Sequence, residues 1–129
     1  MTTKLIPARL AAAIANEAAR HHADPLREAQ VLGVLAAAGY GVQDIAELAG
    51  TTRDCAELAL ALLDLTEPAK WALAEGVLPV ALARQVGRLS EPNQHLMLNR
   101  WLRGEFKNER HAERYALAIE SDEQPQVSF

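Results

Sequence analysis

Apolar positions recur along this chain in short runs at helical spacing, and almost every run is closed by glycine or reopened by proline. The clearest case is the stretch YGVQDIAELAGTTRDCAELALALLDL, residues 40–65. Val42, Ile45, Ala46, Leu48 and Ala49 fall on one face of a short helix. Gly50 supplies a residue able to enter a left-handed turn, and Thr51 or Thr52 can cap the next helix with a hydroxyl. Ala56, Leu58, Ala59, Leu62 and Leu63 then give that second helix its buried side. Two short helices joined by a tight glycine turn make a helix-turn-helix, the unit that presents its second helix to the DNA major groove. Helical hairpins of ordinary bundles turn at glycine as well, so the pattern alone leaves both readings open.

The same punctuation places the other helices. A first helix is predicted over residues 8–20. Asp24 and Pro25 pair an N-cap with proline at the first helical position and open a second helix, which ends near Gly39. The second hairpin helix runs to about Asp64. Thr66-Glu67-Pro68 starts another that Gly76 ends, and Pro79 restarts the chain. Ser90-Glu91-Pro92 does so again, Gly104 closes that helix, and Asn108 opens a last one ending near Glu120. The prediction is an all-α protein, a compact bundle of seven or eight short helices containing a helix-turn-helix. One domain is expected over residues 1–120, with a disordered polar tail over 121–129.

Composition supports helix throughout: alanine and leucine dominate, while aromatic and β-branched residues are scarce. The alanine-rich start is interrupted by Arg9, Asn16 and Glu17, so it reads as an amphipathic helix rather than a secretory leader. No stretch approaches a membrane span, and the lone Cys55 suits a reducing compartment; a cytoplasmic location is expected. Cys55 is read as a half-buried, inert thiol. Charge complicates any proposal involving DNA, because the formal net charge is −4. Residues 42–76 carry two bases, Arg53 and Lys70, against seven acids. Residues 84–114 carry seven bases against four acids. The basic surface therefore lies downstream of the hairpin.

Catalytic chemistry finds no constellation here: no nucleophile elbow, no phosphate-cradling glycine loop, no HExxH and no carboxylate pair in a motif. The protein is not expected to be an enzyme or to hold a cofactor. His21 and His22 are adjacent and diverge by about 100° on a helix, while His95 and His111 lack partners at ligand spacing, so no metal site is expected. Trp71 and Trp101 sit among apolar neighbours and read as core or helix-packing anchors.

Four segments in order over residues 16–119, DPLREA at Asp24, the hairpin from Gly39, TEPAKWALAEGVLPVALARQVGRLSEPNQ and NERHAERYA, together resemble the central DNA-binding region of the ParB and KorB partition-protein family. DPLREA at Asp24 looks like the family's NPxEEA element. The hairpin from Gly39 looks like its G-(x)3-E-(I/V)-A-x-x-x-G-K-S-R-(x)n-L-R-L-L-x-L run. TEPAKWALAEGVLPVALARQVGRLSEPNQ is similar to the segment in which LPEEV precedes a glycine, an alanine-arginine pair and a short acidic link. NERHAERYA resembles the closing VRETE-type helix. The family's amino-terminal domain binds CTP; only fifteen residues precede Asn16 here, so no CTP switch is expected. Asn16-Glu17-Ala18-Ala19-Arg20 resembles a remnant of the ENxxR element, with its first two residues exchanged. A counterpart of the family's carboxy-terminal dimerisation domain is not expected either. Within the hairpin the family's basic turn residue is Thr51, its asparagine Leu58 and its later arginine Ala61, with acids at Asp54 and Glu57.

The resemblance implies a role for Arg53, which matches the arginine of the K-S-R turn and would reach guanine or a phosphate from the start of the reading helix. Its alternative is a surface arginine paired with Asp54 or Glu57. Thr51 and Thr52 would donate to phosphate at the helix N-terminus or simply cap it. Gln43 would contact the DNA backbone from the first hairpin helix or remain solvated. Arg84 matches the family's alanine-arginine pair. Arg88, one turn on, would complete a phosphate-binding ridge on the same helix face; a solvated face is the alternative. Arg100, Arg103, Lys107 and Arg110 form a second basic cluster, diluted by Glu105 and Glu109 into a salt-bridged surface.

The implied function is double-stranded DNA binding through the major groove by residues 52–63, in plasmid or mobile-element maintenance or in transcriptional regulation. A homodimer on a symmetric site, or a larger DNA-binding partner, would supply the remaining specificity. The rival is a protein-interaction module or anti-regulator on the same fold that no longer binds DNA.

Overall fold

A computed structural model describes residues 5–124 of the chain. Among them the protein is all-α: eight α-helices and one 3-10 turn, with no strand. They group into two compact units, the first ending at Leu63 and the second opening at Asp64.

The first unit contains α1 (Ala8–Arg20), α2 (Pro25–Ala37), α3 (Val42–Ala49) and α4 (Arg53–Ala61). α1 buries an alanine stripe, Ala11, Ala15 and Ala18, one helical turn apart. Side chains that small let α1 lie close against α2, whose Leu32 and Leu35 share the same core with Tyr40, Ile45 and Ala59. Tyr40 is buried, and its hydroxyl donates to the carbonyl of Ile6 at 3.1 Å, which satisfies the ring's polar end. Gly33, in mid-α2, sits where a Cβ would stand 2.7 Å from Leu63 Cδ1, so the missing side chain lets the end of the hairpin close onto α2.

The second unit contains α5 (Glu67–Ala74), α6 (Val80–Val86), α7 (Glu91–Leu102) and α8 (Glu109–Glu123). α8 packs on α6 and α7, and α5 packs on the same two helices. Its organising group is polar. Gln94 is only 2% exposed, on the stripe it shares with Met97 and Leu98. Its side-chain oxygen accepts from the Thr66 amide at 2.9 Å. Its side-chain nitrogen donates to the carbonyls of Asp64 at 2.9 Å and Leu89 at 3.0 Å. One amide thus ties the segment before α5 to the α6–α7 turn. Trp101 adds a second tie by donating from Nε1 to the Val77 carbonyl at 2.9 Å. Arg100 lies over the rings of Phe106 and Tyr115, 5.1 and 4.6 Å from their centroids.

The predicted starts hold, four of them with a side-chain cap. Asp24, Thr52, Thr66 and Asn108 each accept from the amide three residues on. Four details depart from the sequence reading. Ala49 is exposed, and α4 buries Ala56, Ala59 and Ala61, leaving Leu58 half-buried. α4 ends at Ala61 and tightens into a 3-10 turn over Leu62–Asp64 before the Thr66 cap. Trp71, expected as an anchor, is 65% exposed because α5 turns Ala69, Ala72 and Leu73 inward instead. The last helix does not stop near Glu120, and residues 121–123 are not tail. α8 continues because the Glu123 carboxylate accepts from the amide and hydroxyl of Ser90 and from the Asn93 side chain. Residues 125–129 of the expected tail lie outside the described residues.

Two consequences are measurable. Gln94→Leu preserves bulk but leaves the Thr66 amide and the Asp64 and Leu89 carbonyls without partners. A loss of about 2–4 kcal/mol is expected, seen as a lower urea midpoint with an unchanged slope. The second concerns acid. Partial burial pushes the Glu123 carboxyl up, but hydrogen bonds from Asn93 and from Ser90 outweigh it and hold it below the usual glutamate value. A depressed carboxyl stabilises the fold above its unfolded value and loses that contribution as pH falls through the native one. Amide exchange over residues 119–123 should therefore accelerate in that acid window, ahead of exchange in α6. Equal protection at both pH extremes would contradict it.

Candidate nucleic-acid interface

The hairpin of α3 and α4 turns as its sequence requires. Gly50 adopts φ 70° and ψ 34°, a left-handed conformation that a Cβ would strain. Its amide donates to the Glu47 carbonyl at 3.2 Å and the Thr51 amide to the Ala46 carbonyl at 2.9 Å, the paired bonds of a Schellman ending. The chain then extends through Thr52, whose hydroxyl accepts from the Cys55 amide at 3.2 Å and so caps α4. Thr52, not Thr51, is the cap. Thr51 is exposed, and its hydroxyl has no hydrogen-bond partner among the described residues.

Residues 51–55 are exposed, whereas from Ala56 onward α4 is buried or half-buried. The helix therefore offers solvent its N-terminal turn and little else. Arg53 is the first residue of that turn, with its side chain 62% exposed. Its Nε donates to Glu57 Oε1 at 3.0 Å, one helical turn along. Of the two acids that could pair with it, Glu57 does. Asp54, in the same first turn, complements the positive end of the helix dipole. Cys55 is exposed, not half-buried as expected, because it precedes the Ala56 and Ala59 side chains that face the core. Gln43 is exposed on α3 and donates from Nε2 to Glu47 Oε1 at 3.3 Å.

Arg84 and Arg88 belong to the second unit, Arg53 to the first. They do not form a ridge on one helix. α6 ends at Val86, and Gly87 carries the chain out of it, so Arg88 lies in the turn that leads to α7. Its Nη2 donates to Glu120 Oε1 of α8 at 2.8 Å, and the Glu120 side chain is 13% exposed. Arg84 is half-buried in α6, and its Nε is enclosed without an acceptor among the described residues. The second basic cluster is tied internally: Arg100 and Arg103 both reach Glu105, at 3.2 and 3.9 Å.

Three residues that shape these surfaces escaped the sequence reading as actors. Glu120 continues the buried Ala112–Ala116 stripe of α8 by one more turn, and a carboxylate on such a stripe signals a cationic partner. Gln94 occupies an equivalent position on α7, where a polar side chain on a buried stripe signals a network. Glu123, which follows Glu120 by three residues, left no local signal, because its partners lie thirty residues away.

No helix among the described residues is long and apolar enough to cross a membrane. Compared with known family models, curated proteins and solved structures, the chain has no match.

Proposed function

We propose that this chain is a ParB/KorB-like helix-turn-helix protein that binds double-stranded DNA, acting in plasmid or mobile-element maintenance or in transcriptional regulation. The observation that carries the reading is Arg53: an exposed guanidinium on the first residue of α4, directly after a left-handed glycine turn and a threonine cap. In this motif the N-terminal residues of the second helix meet base edges, and those are the residues α4 leaves exposed. Thr51, whose hydroxyl has no partner among the described residues, and Gln43 would contact the backbone alongside. Arg84 and Arg88 would anchor phosphates from the second unit. The order of family-like motifs over residues 16–119 supports the same reading. One such module buries a modest interface, so a homodimer on a symmetric site or a larger DNA-binding partner would complete the specificity. The protein would then reside in the cytoplasm, on the nucleoid.

A second reading, that of a protein-interaction module or anti-regulator, has its own observation. Arg53 is already neutralised by Glu57, and the hairpin around it is rich in acids. On that reading the exposed turn of α4 faces a DNA-binding protein instead of DNA.

Selection of bound oligonucleotides from a random pool, followed by salt titration of the enriched site, separates the two. DNA binding predicts enrichment and an affinity that falls with salt. No enrichment and no mobility shift even at low salt, with a stable complex on a DNA-binding protein, favours the second reading. On the enriched site Arg53→Ala should cost about 1–3 kcal/mol and relax base preference at one position. Glu57→Gln should do the reverse, tightening binding several-fold by releasing the guanidinium. If both variants bind like the unaltered protein, Arg53 is not the reading residue.

A further inference from the structure

The last two turns of α8 combine features that do not suit a permanent part of the fold. Past Ala116 no residue of the helix is buried; Leu117 is exposed and Ile119 only half-buried. Glu120, Asp122 and Glu123 place three acids at the negative end of the helix dipole, and no base stands in the last turn to offset them. Besides half-buried Ile119, what holds this segment is polar. Arg88 Nη2 donates to Glu120 Oε1 at 2.8 Å. The Ser90 amide donates to Glu123 Oε1 at 2.8 Å and to Oε2 at 3.1 Å, the Ser90 hydroxyl donates to Oε2 at 3.0 Å, and Asn93 Nδ2 donates to the same oxygen. A short segment at a helix end, with half-buried Ile119 and no fully buried apolar side chain, opens locally at lower cost than the unit that carries it.

We propose that the end of α8 is an autoinhibitory strap, in which Glu120 and Glu123 occupy the donors of the α6–α7 turn that DNA backbone phosphates take when the strap is released. The inference rests on the DNA-binding reading and adds regulation to it. The chemistry of exchange is like for like. A carboxylate and a phosphate oxygen both accept from a guanidinium and from amides at a helix start. In the strapped form the Nη2 donor of Arg88 is matched to a largely buried carboxylate instead of an external anion. In the released form Arg88, the Ser90 amide and hydroxyl, and Asn93 are all offered to the duplex. The acids also leave the vicinity of the phosphates, so one movement removes repulsion and adds a contact.

The test uses the full chain on its selected DNA site. Glu120→Gln/Glu123→Gln should bind about tenfold more tightly at 0.1 M salt, with a salt slope steeper by about one, the signature of one added phosphate contact. Adding Arg88→Ala to that pair should abolish the gain in slope. Glu120→Gln alone, which leaves every Glu123 contact in place, should give a smaller gain and guards against a misfolded double variant. Amide exchange over residues 119–123 should rise in the double variant while α6 remains protected. If the unaltered protein binds DNA and the double variant binds no more tightly, or keeps its gain without Arg88, the strap is overturned and the DNA reading stands. If neither form binds DNA at low salt, the DNA reading fails first.

Discussion

A helix leaves four amides at its start and four carbonyls at its end without partners inside it, and α3 to α6 are so short that these ends dominate. α6 has seven residues and α3 has eight. In each, the unpaired groups outnumber the internal hydrogen bonds. The core compensates little, because half of the buried apolar residues among those described are alanines, which remove little surface from water. The fold therefore depends on what satisfies its helix ends. Side chains of Asp24, Thr52, Thr66 and Asn108 do so at four starts, and the side-chain amide of Gln94 binds the backbone on both sides of α5 and α6. At the start of α7 the residue in the cap position does not cap. Ser90 donates outward to Glu123, and a side chain from another helix takes over.

That same dependence shapes the candidate interface. The residues that finish the hairpin, Gly50 and Thr52, are those that set Arg53 at the mouth of α4, so local folding and presentation of the guanidinium are one event. Satisfying ends with carboxylates has a cost elsewhere. Glu57 holds Arg53, Glu120 holds Arg88 and Glu105 holds Arg100, so bases that would attract DNA are met within one or two turns, or across the unit, by an acid. Exposed pairs such as Arg53–Glu57 contribute little to stability and exchange partners readily. Arg88–Glu120 is different, because its acid is largely buried and joins the α6–α7 turn to the end of α8.

Nearly all of the local architecture was legible. Proline and glycine mark helix boundaries through fixed backbone preferences, so the starts at Pro25, Glu67, Glu91 and Glu109 follow from the residues just before them. Contacts between distant residues were not. Arg84 and Arg88 look like one helix face because their spacing is four, yet Gly87 ends the helix between them. Trp71 reads as an anchor by size, but α5 has three smaller apolar residues to bury and turns them inward. The end of α8 reads as a polar tail because three acids in four residues disfavour a helix terminus. Its partners, thirty residues earlier, reverse that preference.

On the DNA-binding reading, internal pairing explains how a chain of net charge −4 can serve without being swept onto every duplex. Non-specific affinity is mostly the summed attraction of bases for phosphates, and here that sum is held low by acids already in contact with the bases. Specific binding must then come from an exchange in which an acid gives way to a better-placed phosphate or base edge. Such an exchange depends on geometry, because only a ligand that replaces the lost hydrogen bonds repays the separation of the pair. Arg53 can make it by a rotation of one side chain, whereas on the strap proposal Arg88 does so when the end of α8 opens. The two guanidiniums would therefore respond on different scales, the first to the sequence within the groove and the second to whether the strap is closed.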